Sequence, residues 1–457
     1  MQAAGARAAR DGSSTLAELR ALIGLSAPIS LTQLGFVAMS LVDTAVVGRV
    51  SVQDLAGAGI GRALAFAPIM VPFGVATGLE PIASQAVGAG EAARAWRGYL
   101  ATLRASLLLW APSILASFAA TLALPAMGVE AAVVDRVRLY IAGQTPGLAA
   151  MVAFQAAKTL LQAHGRTGPA LAASLGANVV NVVVCNLLVR GDDALAVVGL
   201  SAVGLPRLGA LGAGLAFSIA SFFMLAFVAI AAVRHRDRAA AGSPVTVATV
   251  YRVGVPVGLQ MLAEVGVFSL SSALAGSLGA VVAAAHQIAI GMISFTFMAA
   301  LGVSGATAVR VGYAVGAGVS PRRAGMLGIL LGAAAMSLGV AAFTGAPEAI
   351  VNLFTRDEHV AAIGVRLLRI AAVFQLFDGV QSVAAGALRG AGDVRFPFVA
   401  NVVAHWLVGL PLSLVLAFAL HGGAQGLWWG LTAGLVVVAV ALSVRFARVS
   451  RGIVARV

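Results

Sequence analysis

Long apolar runs recur along almost the whole chain, and that recurrence constrains the fold more than any single motif. They fall near 22–47, 54–80, 98–124, 136–160, 169–190, 205–232, 252–276, 281–308, 323–346, 363–388, 396–420 and 423–446. Each is long enough to cross about 30 Å of hydrocarbon as a helix. With no water to bond the backbone there, only helices and closed barrels can span. The period-two alternation of a barrel is absent. The chain is therefore predicted to be an all-α integral membrane protein of about twelve transmembrane helices. Composition agrees: 60% of the 457 residues are apolar and 10% charged, with a mean hydropathy of +0.98. A soluble domain carries roughly a quarter charged residues.

The net charge of +13 raises nucleic-acid binding as a reading, but the placement of the arginines excludes it. With the N-terminus inside, Arg7, Arg10, Arg20, Arg94, Arg97, Arg166, Arg236, Arg238, Arg322, Arg395 and Arg448 all fall on the cytoplasmic side. The opposite loops hold Glu130, Asp192, Asp193, Glu348, Asp357 and Glu358. That asymmetry follows the positive-inside rule and predicts a multi-pass protein with both termini cytoplasmic. The one cysteine, Cys185, allows no internal disulfide and supplies no metal-binding spacing.

Displacing the sequence by 228 residues lays 28–90 on 256–318 without a gap, with 16 identities in 63 positions. This composition would give on the order of 6 by chance, so the chain is internally duplicated. Pro28 falls on Pro256, Gly74 on Gly302, and the Ala-Val-Gly-Ala-Gly of 86–90 on that of 314–318. The expected organisation is a six-helix lobe over 1–232, a cytoplasmic linker over 233–250 and a second six-helix lobe over 251–457. Six is even, so both lobes enter from the same side and are related by a pseudo-two-fold along the membrane normal. Two such bundles facing each other form a transporter plan. There is no phosphate-binding Gly-x-x-x-x-Gly-Lys-Ser/Thr loop, so energy must come from a gradient, and no enzyme activity is expected. A channel is the structural alternative, but no pore-loop segment appears.

Carboxylates inside the spans are the residues most expected to carry function, because each costs roughly 2.5–3.5 kcal/mol at a helix centre. Asp43 lies in the first span, Glu264 in the seventh and Asp378 in the tenth. Helical spacing sets Phe36 and Met39 on the face of Asp43, and Gln260 and Phe268 beside Glu264. Phe374, Gln375 and Gln381 stand in the same relation to Asp378. Acids among aromatic and Met side chains suit a lipophilic cation, through charge, cation–π contact and adaptable packing. The plainer reading is that each acid only ties helices together. Lys158, the one lysine, is expected to snorkel out of the fourth span.

Several motifs, taken together, carry a family likeness. They are Pro28 with Val42-Asp43-Thr44-Ala45-Val46-Val47-Gly48, then Glu80-Pro81-Ile82-Ala83-Ser84-Gln85 running into Gly88-Ala89-Gly90. Ala284-Ala285-His286-Gln287-Ile288, Val309-Arg310-Val311-Gly312, Leu388-Arg389-Gly390-Ala391-Gly392-Asp393 and Gly426-Leu427-Trp428 follow in order. In this set the chain resembles the multidrug and toxic compound extrusion (MATE) family, NorM-type branch. The resemblance implies a monomeric antiporter of the bacterial inner membrane that exports small-molecule organic cations and drugs against protons or sodium. It implies no cofactor, no nucleic-acid partner, and no partner beyond substrate and membrane lipid. It assigns ion coupling to Asp43, and cation binding to Glu264 and Asp378, which are also the candidate sodium ligands. Asn181 matches the family's fifth-span asparagine, but Cys185 stands where sodium-binding archaeal members carry an acid, which puts a complete sodium site in the N-terminal half in doubt. Glu80 matches a polar position that caps or pins a gate. A flippase for a lipid-linked oligosaccharide is the alternative; it would be expected to line its cavity with cations, whereas the interior charges placed here are mainly acids.

Overall fold

The structure, a computed structural model, describes residues 14–197, 199, 201–234, 236 and 244–457. Of the residues used above to set topology, Arg7, Arg10 and Arg238 lie outside the described set, as does part of the linker. Twelve long helices account for most of the chain. They are α1 (Thr15–Val47), α2 (Val52–Thr77, continuing as Leu79–Gly88), α3 (Ala92–Ala120), α4 (Ala131–Ala163), α5 (Gly168–Arg190) and α6 (Gly209–Val233). The second six are α7 (Val247–Ser277), α8 (Ala280–Gly316), α9 (Arg322–Gly345), α10 (Glu358–Gly390), α11 (Arg395–Ala419) and α12 (Gly423–Val449). Every predicted span corresponds to one of these. α7 begins at Val247, inside the stretch read as linker.

Eleven of the twelve are long and apolar enough to cross a membrane on those grounds alone. The exception is α4, whose hydropathy is lowered by Gln144, Gln155, Lys158 and Gln162, all buried. That helix runs inside the N-terminal lobe, against α2 and α6, so its polar groups face protein. Lys158 accordingly does not snorkel out: it is 3% exposed, and the sequence expectation is corrected on this point. Leu41, Leu108, Val179, Phe222, Leu338 and Leu407 are exposed on the outer surface, as lipid-facing residues must be.

Helix starts follow local chemistry. Ser14 accepts from Ala17 N at α1, Ser51 from Asp54 N at α2 and Thr246 from Thr249 N at α7, each satisfying an orphan donor. α11 is irregular: π-helical turns over Val403–Gly409 and Val415–Ala419 flank the segment that carries Pro411.

α1–α6 form one lobe and α7–α12 the other. The lobes meet where α1 packs on α8 and α2 on α7. At the second contact Gly74 faces Gly258 and Gly78 faces Gly254; a Cβ on any of the four would strike the backbone opposite, so only glycine permits that approach. Twelve crossings return the chain to the face it left, so residues 14 and 457 share one face, called proximal here; the other is distal.

Candidate functional site

Three groups of polar residues interrupt the apolar interior: one in each lobe and one between the lobes at the proximal face.

In the C-terminal lobe, Glu264 sits midway along α7. Its Oε1 accepts from Gln260 Nε2 at 3.2 Å, Gln381 Nε2 at 3.1 Å and Asn401 Nδ2 at 2.5 Å, so α7, α10 and α11 converge on one carboxylate oxygen. Asp378, on α10, is 8% exposed and makes no hydrogen bond or ion pair among the described residues; the charge that acts on it is that of Glu264. Aromatic rings stack behind the acids. Phe268 meets Phe374 edge-on with centroids 6.1 Å apart, and Phe374 meets Trp428 at 5.9 Å. Trp428 Nε1 donates to His286 Nδ1 at 3.1 Å, and His286 Nε2 lies 3.1 Å from Ser272 Oγ. Gln375 Oε1 accepts from Thr296 Oγ1 at 2.9 Å, while its Nε2 is buried without a partner.

In the N-terminal lobe, Asp43 lies one turn from the distal end of α1 and is 2% exposed. Its Oδ1 accepts from Asn181 Nδ2 of α5 at 2.8 Å, and the Cys185 thiol lies against the same carboxylate. Cys185 is buried among Val46, Val189 and Ala213. Arg62 of α2 interacts electrostatically with Asp43 without a direct salt bridge. Its guanidinium is pinned by Ser40 O and Thr44 Oγ1, both at 3.3 Å, by Tyr140 OH at 3.4 Å, and by a short contact to Ser40 Oγ. Phe36 lies edge-on to Phe154 at 6.0 Å, and Lys158 Nζ stands 6.0 Å from the same Phe154 ring and 3.5 Å from Gln33 Oε1.

The proximal face is closed by bonds between lobes. Glu18 of α1 pairs with Arg310 of α8 through two contacts, at 2.8 and 2.5 Å. Glu80 of α2 pairs with Arg389 of α10 at 2.5 Å, and both pairs are largely buried. Gln85 donates to Gly390 O at 3.0 Å and accepts from Val457 N at 2.8 Å, while Arg94 donates to Val457 O at 2.6 Å. Arg456 pairs with Glu91 at 2.8 Å and, by that hydrogen bond, holds the Glu91 carboxyl below the usual range. Among the described residues, no hydrogen bond or ion pair joins the lobes at the distal face.

The structure brings Glu264, Asp378, Gln260, Gln381 and Phe268 together in one lobe and places Asp43, Asn181, Phe36 and Met39 in the other. Phe374 and Gln375, at 1% and 0% exposure, and Met39, at 3%, are enclosed. Glu80 pins the lobes together. Arg62 and Asn401 stand beside the acids and are not among the residues singled out from the sequence. Arg62 and Asn401 lie on helices other than those of Asp43 and Glu264, and helical spacing links residues only within one helix.

Comparison with known proteins agrees with this arrangement. The MatE family model matches residues 28–187 and 256–415, two segments that start 228 residues apart, the offset of the internal repeat. The "Probable multidrug resistance protein NorM" of Deinococcus radiodurans is 36% identical over 442 residues, covering 95% of this chain and 96% of that one. The "Multidrug resistance protein NorM" of Burkholderia vietnamiensis is also 36% identical, over 92% of each. The eukaryotic MATE transporter AtDTX14 shares the fold with a TM-score of 0.82 at 20% identity, over 96% of this chain and 99% of that one. The Vibrio cholerae MATE transporter VcmN in its bent form gives 0.83 at 18%, over 96% and 98%. With both repeats matched by one family model and full-length relatives above 30% identity, the chain belongs to the MatE family of multidrug and toxic compound extrusion transporters.

Proposed function

We propose that this transporter exports lipophilic organic cations in exchange for protons or sodium, by alternating access, from a bacterial inner membrane with both termini cytoplasmic. The observation that carries the reading is the pairing of Glu264 with Asp378, two acids in one apolar lobe with no direct ion pair, backed by Phe268, Phe374 and Trp428. An organic cation gains charge, ring contact and desolvation together at such a place. A proton or sodium ion competes for the same carboxylates, and mutual exclusion is what exchange requires. Asp43 with Asn181 is the second ion-responsive group, in the other lobe. On this reading the proximal face is the cytoplasmic one, held closed by the bonds between the lobes. The names of the relatives favour drug export, and no observation favours the lipid-linked oligosaccharide reading.

Ethidium efflux from vesicles, driven by proton and sodium gradients imposed separately, tests the proposal. Efflux under at least one gradient supports it; no efflux under either overturns it. Single cysteines near Arg236 and Glu358 test orientation: the first should label from the cytoplasm, the second from outside, and the reverse would overturn the topology.

A further inference from the structure

The two lobes hold a similar pair of residues in different surroundings. In each, the first helix supplies an acid and the fifth an asparagine: Asp43 with Asn181, and Glu264 with Asn401. Each asparagine donates its Nδ2 to the acid and leaves its Oδ1 buried without a partner. Carboxylate and free amide oxygen together are hard oxygen donors of the kind that hold a small monovalent cation. The difference is Arg62. The guanidinium that acts on Glu264, that of Arg389, is already paired with Glu80 of the other lobe, whereas Arg62 makes no ion pair among the described residues. The guanidinium of Arg62 is fixed by α1 and by Tyr140 of α4, and its charge already acts on Asp43.

We infer that Arg62 sets ion specificity in the N-terminal lobe: it is a tethered cation that keeps metal ions off Asp43 and Asn181, leaving that acid to protons alone. A sodium ion bound there would be held close to a guanidinium that cannot leave. Like charges held several ångströms apart at an effective dielectric of about 20 weaken each other's binding by roughly one to two orders of magnitude. The donor set is also thin, for Cys185 offers a thiol in place of a third oxygen, and no group of three or more His, Cys, Asp or Glu side chains gathers anywhere among the described residues. A proton needs only the carboxylate. The inference rests on the proposed exchange for its meaning in transport, but binding can be read without transport.

The test uses the purified full chain with Glu264→Gln and Asp378→Asn, which silence the other lobe. Its thermal unfolding is compared in NaCl and KCl at equal ionic strength. With Arg62 present, no sodium-specific shift is expected. Adding Arg62→Met should create one of about 2–4 °C at saturating sodium, and adding Asp43→Asn should abolish it. Arg62→Gln serves as a second variant should the methionine form fail to fold. A sodium shift in the Arg62-bearing protein that Asp43→Asn removes would overturn the inference. So would a well-folded Arg62→Met or Arg62→Gln protein that ignores sodium. If neither variant folds, the Arg62-bearing protein alone decides. Failure of vesicle efflux would sink the exchange reading and leave this result standing.

Discussion

The two lobes share an ancestor and a fold, yet their interior acids have different surroundings. The N-terminal lobe holds Asp43 with Arg62 and, further along, Lys158. The C-terminal lobe holds Glu264 and Asp378, whose nearest guanidinium, Arg389, is already bound to Glu80 of the other lobe. Asp43 has a guanidinium of its own lobe beside it, whereas the buried arginines of the C-terminal lobe, Arg310 and Arg389, are bound to Glu18 and Glu80 of the other lobe. The acids also sit at different depths. At the 228-residue offset Asp43 maps to Ser271 and Glu264 to Phe36, seven positions apart, which is about two helical turns. Duplication preserved the helices, but the acid–asparagine pairs do not align at this offset: Asn181 falls on Gly409 and Asn401 on Ala173.

The largest effect should come from the C-terminal lobe. Asp378→Asn and Glu264→Gln are expected to lower gradient-driven efflux at least tenfold and to weaken ethidium binding by the purified protein. Asp43→Asn should cut efflux as severely but leave binding nearly intact, because it strips Arg62 of its counter-charge without touching the other lobe. Wild-type efflux in all three would break the comparison; equal loss of binding in all three would erase the distinction between lobes.

Next in size is the bond between lobes. Removing one partner of a buried pair costs about 3–5 kcal/mol. Glu80→Gln should therefore move the resting population toward the state open at the proximal face. Cysteines placed beside Gln85 should then label faster from the cytoplasm; unchanged labelling would show that Glu80 does not hold the gate. Cys185→Ser should be milder, within about threefold of wild-type efflux, since a hydroxyl can replace the thiol beside Asp43. Loss of all efflux with normal expression would make Cys185 a member of the site.

The smallest effect concerns Glu91 and Arg456, an exposed pair worth up to about 1 kcal/mol. Arg456 lowers the folded-state value of Glu91, so its contribution is full above the unfolded value and fades as pH falls through the folded one. Arg456→Ala should reduce stability slightly near neutral pH and make no difference in acid; the opposite trend would reject the assignment.

Much of this protein is legible in one dimension because the bilayer is a severe solvent. A segment that must bury every backbone bond and expose only hydrocarbon is a helix or part of a closed barrel, and no period-two alternation is present, so the twelve spans, the two six-helix halves and their duplication all follow from apolar runs, arginine placement and a 228-residue period. The cost of a carboxylate in that medium likewise marks Asp43, Glu264 and Asp378 before any coordinates are known. Lys158 shows where such reasoning stops. Its position near a helix end permits snorkelling, and only the packing of α4 inside the lobe denies it. Periodicity orders residues along one helix but says nothing of which helices meet. The convergence of Gln260, Gln381 and Asn401 on Glu264, the standing of Arg62 beside Asp43, and the clasp of Glu80 by Arg389 each join helices far apart in the chain, and those meetings depend on packing between whole lobes.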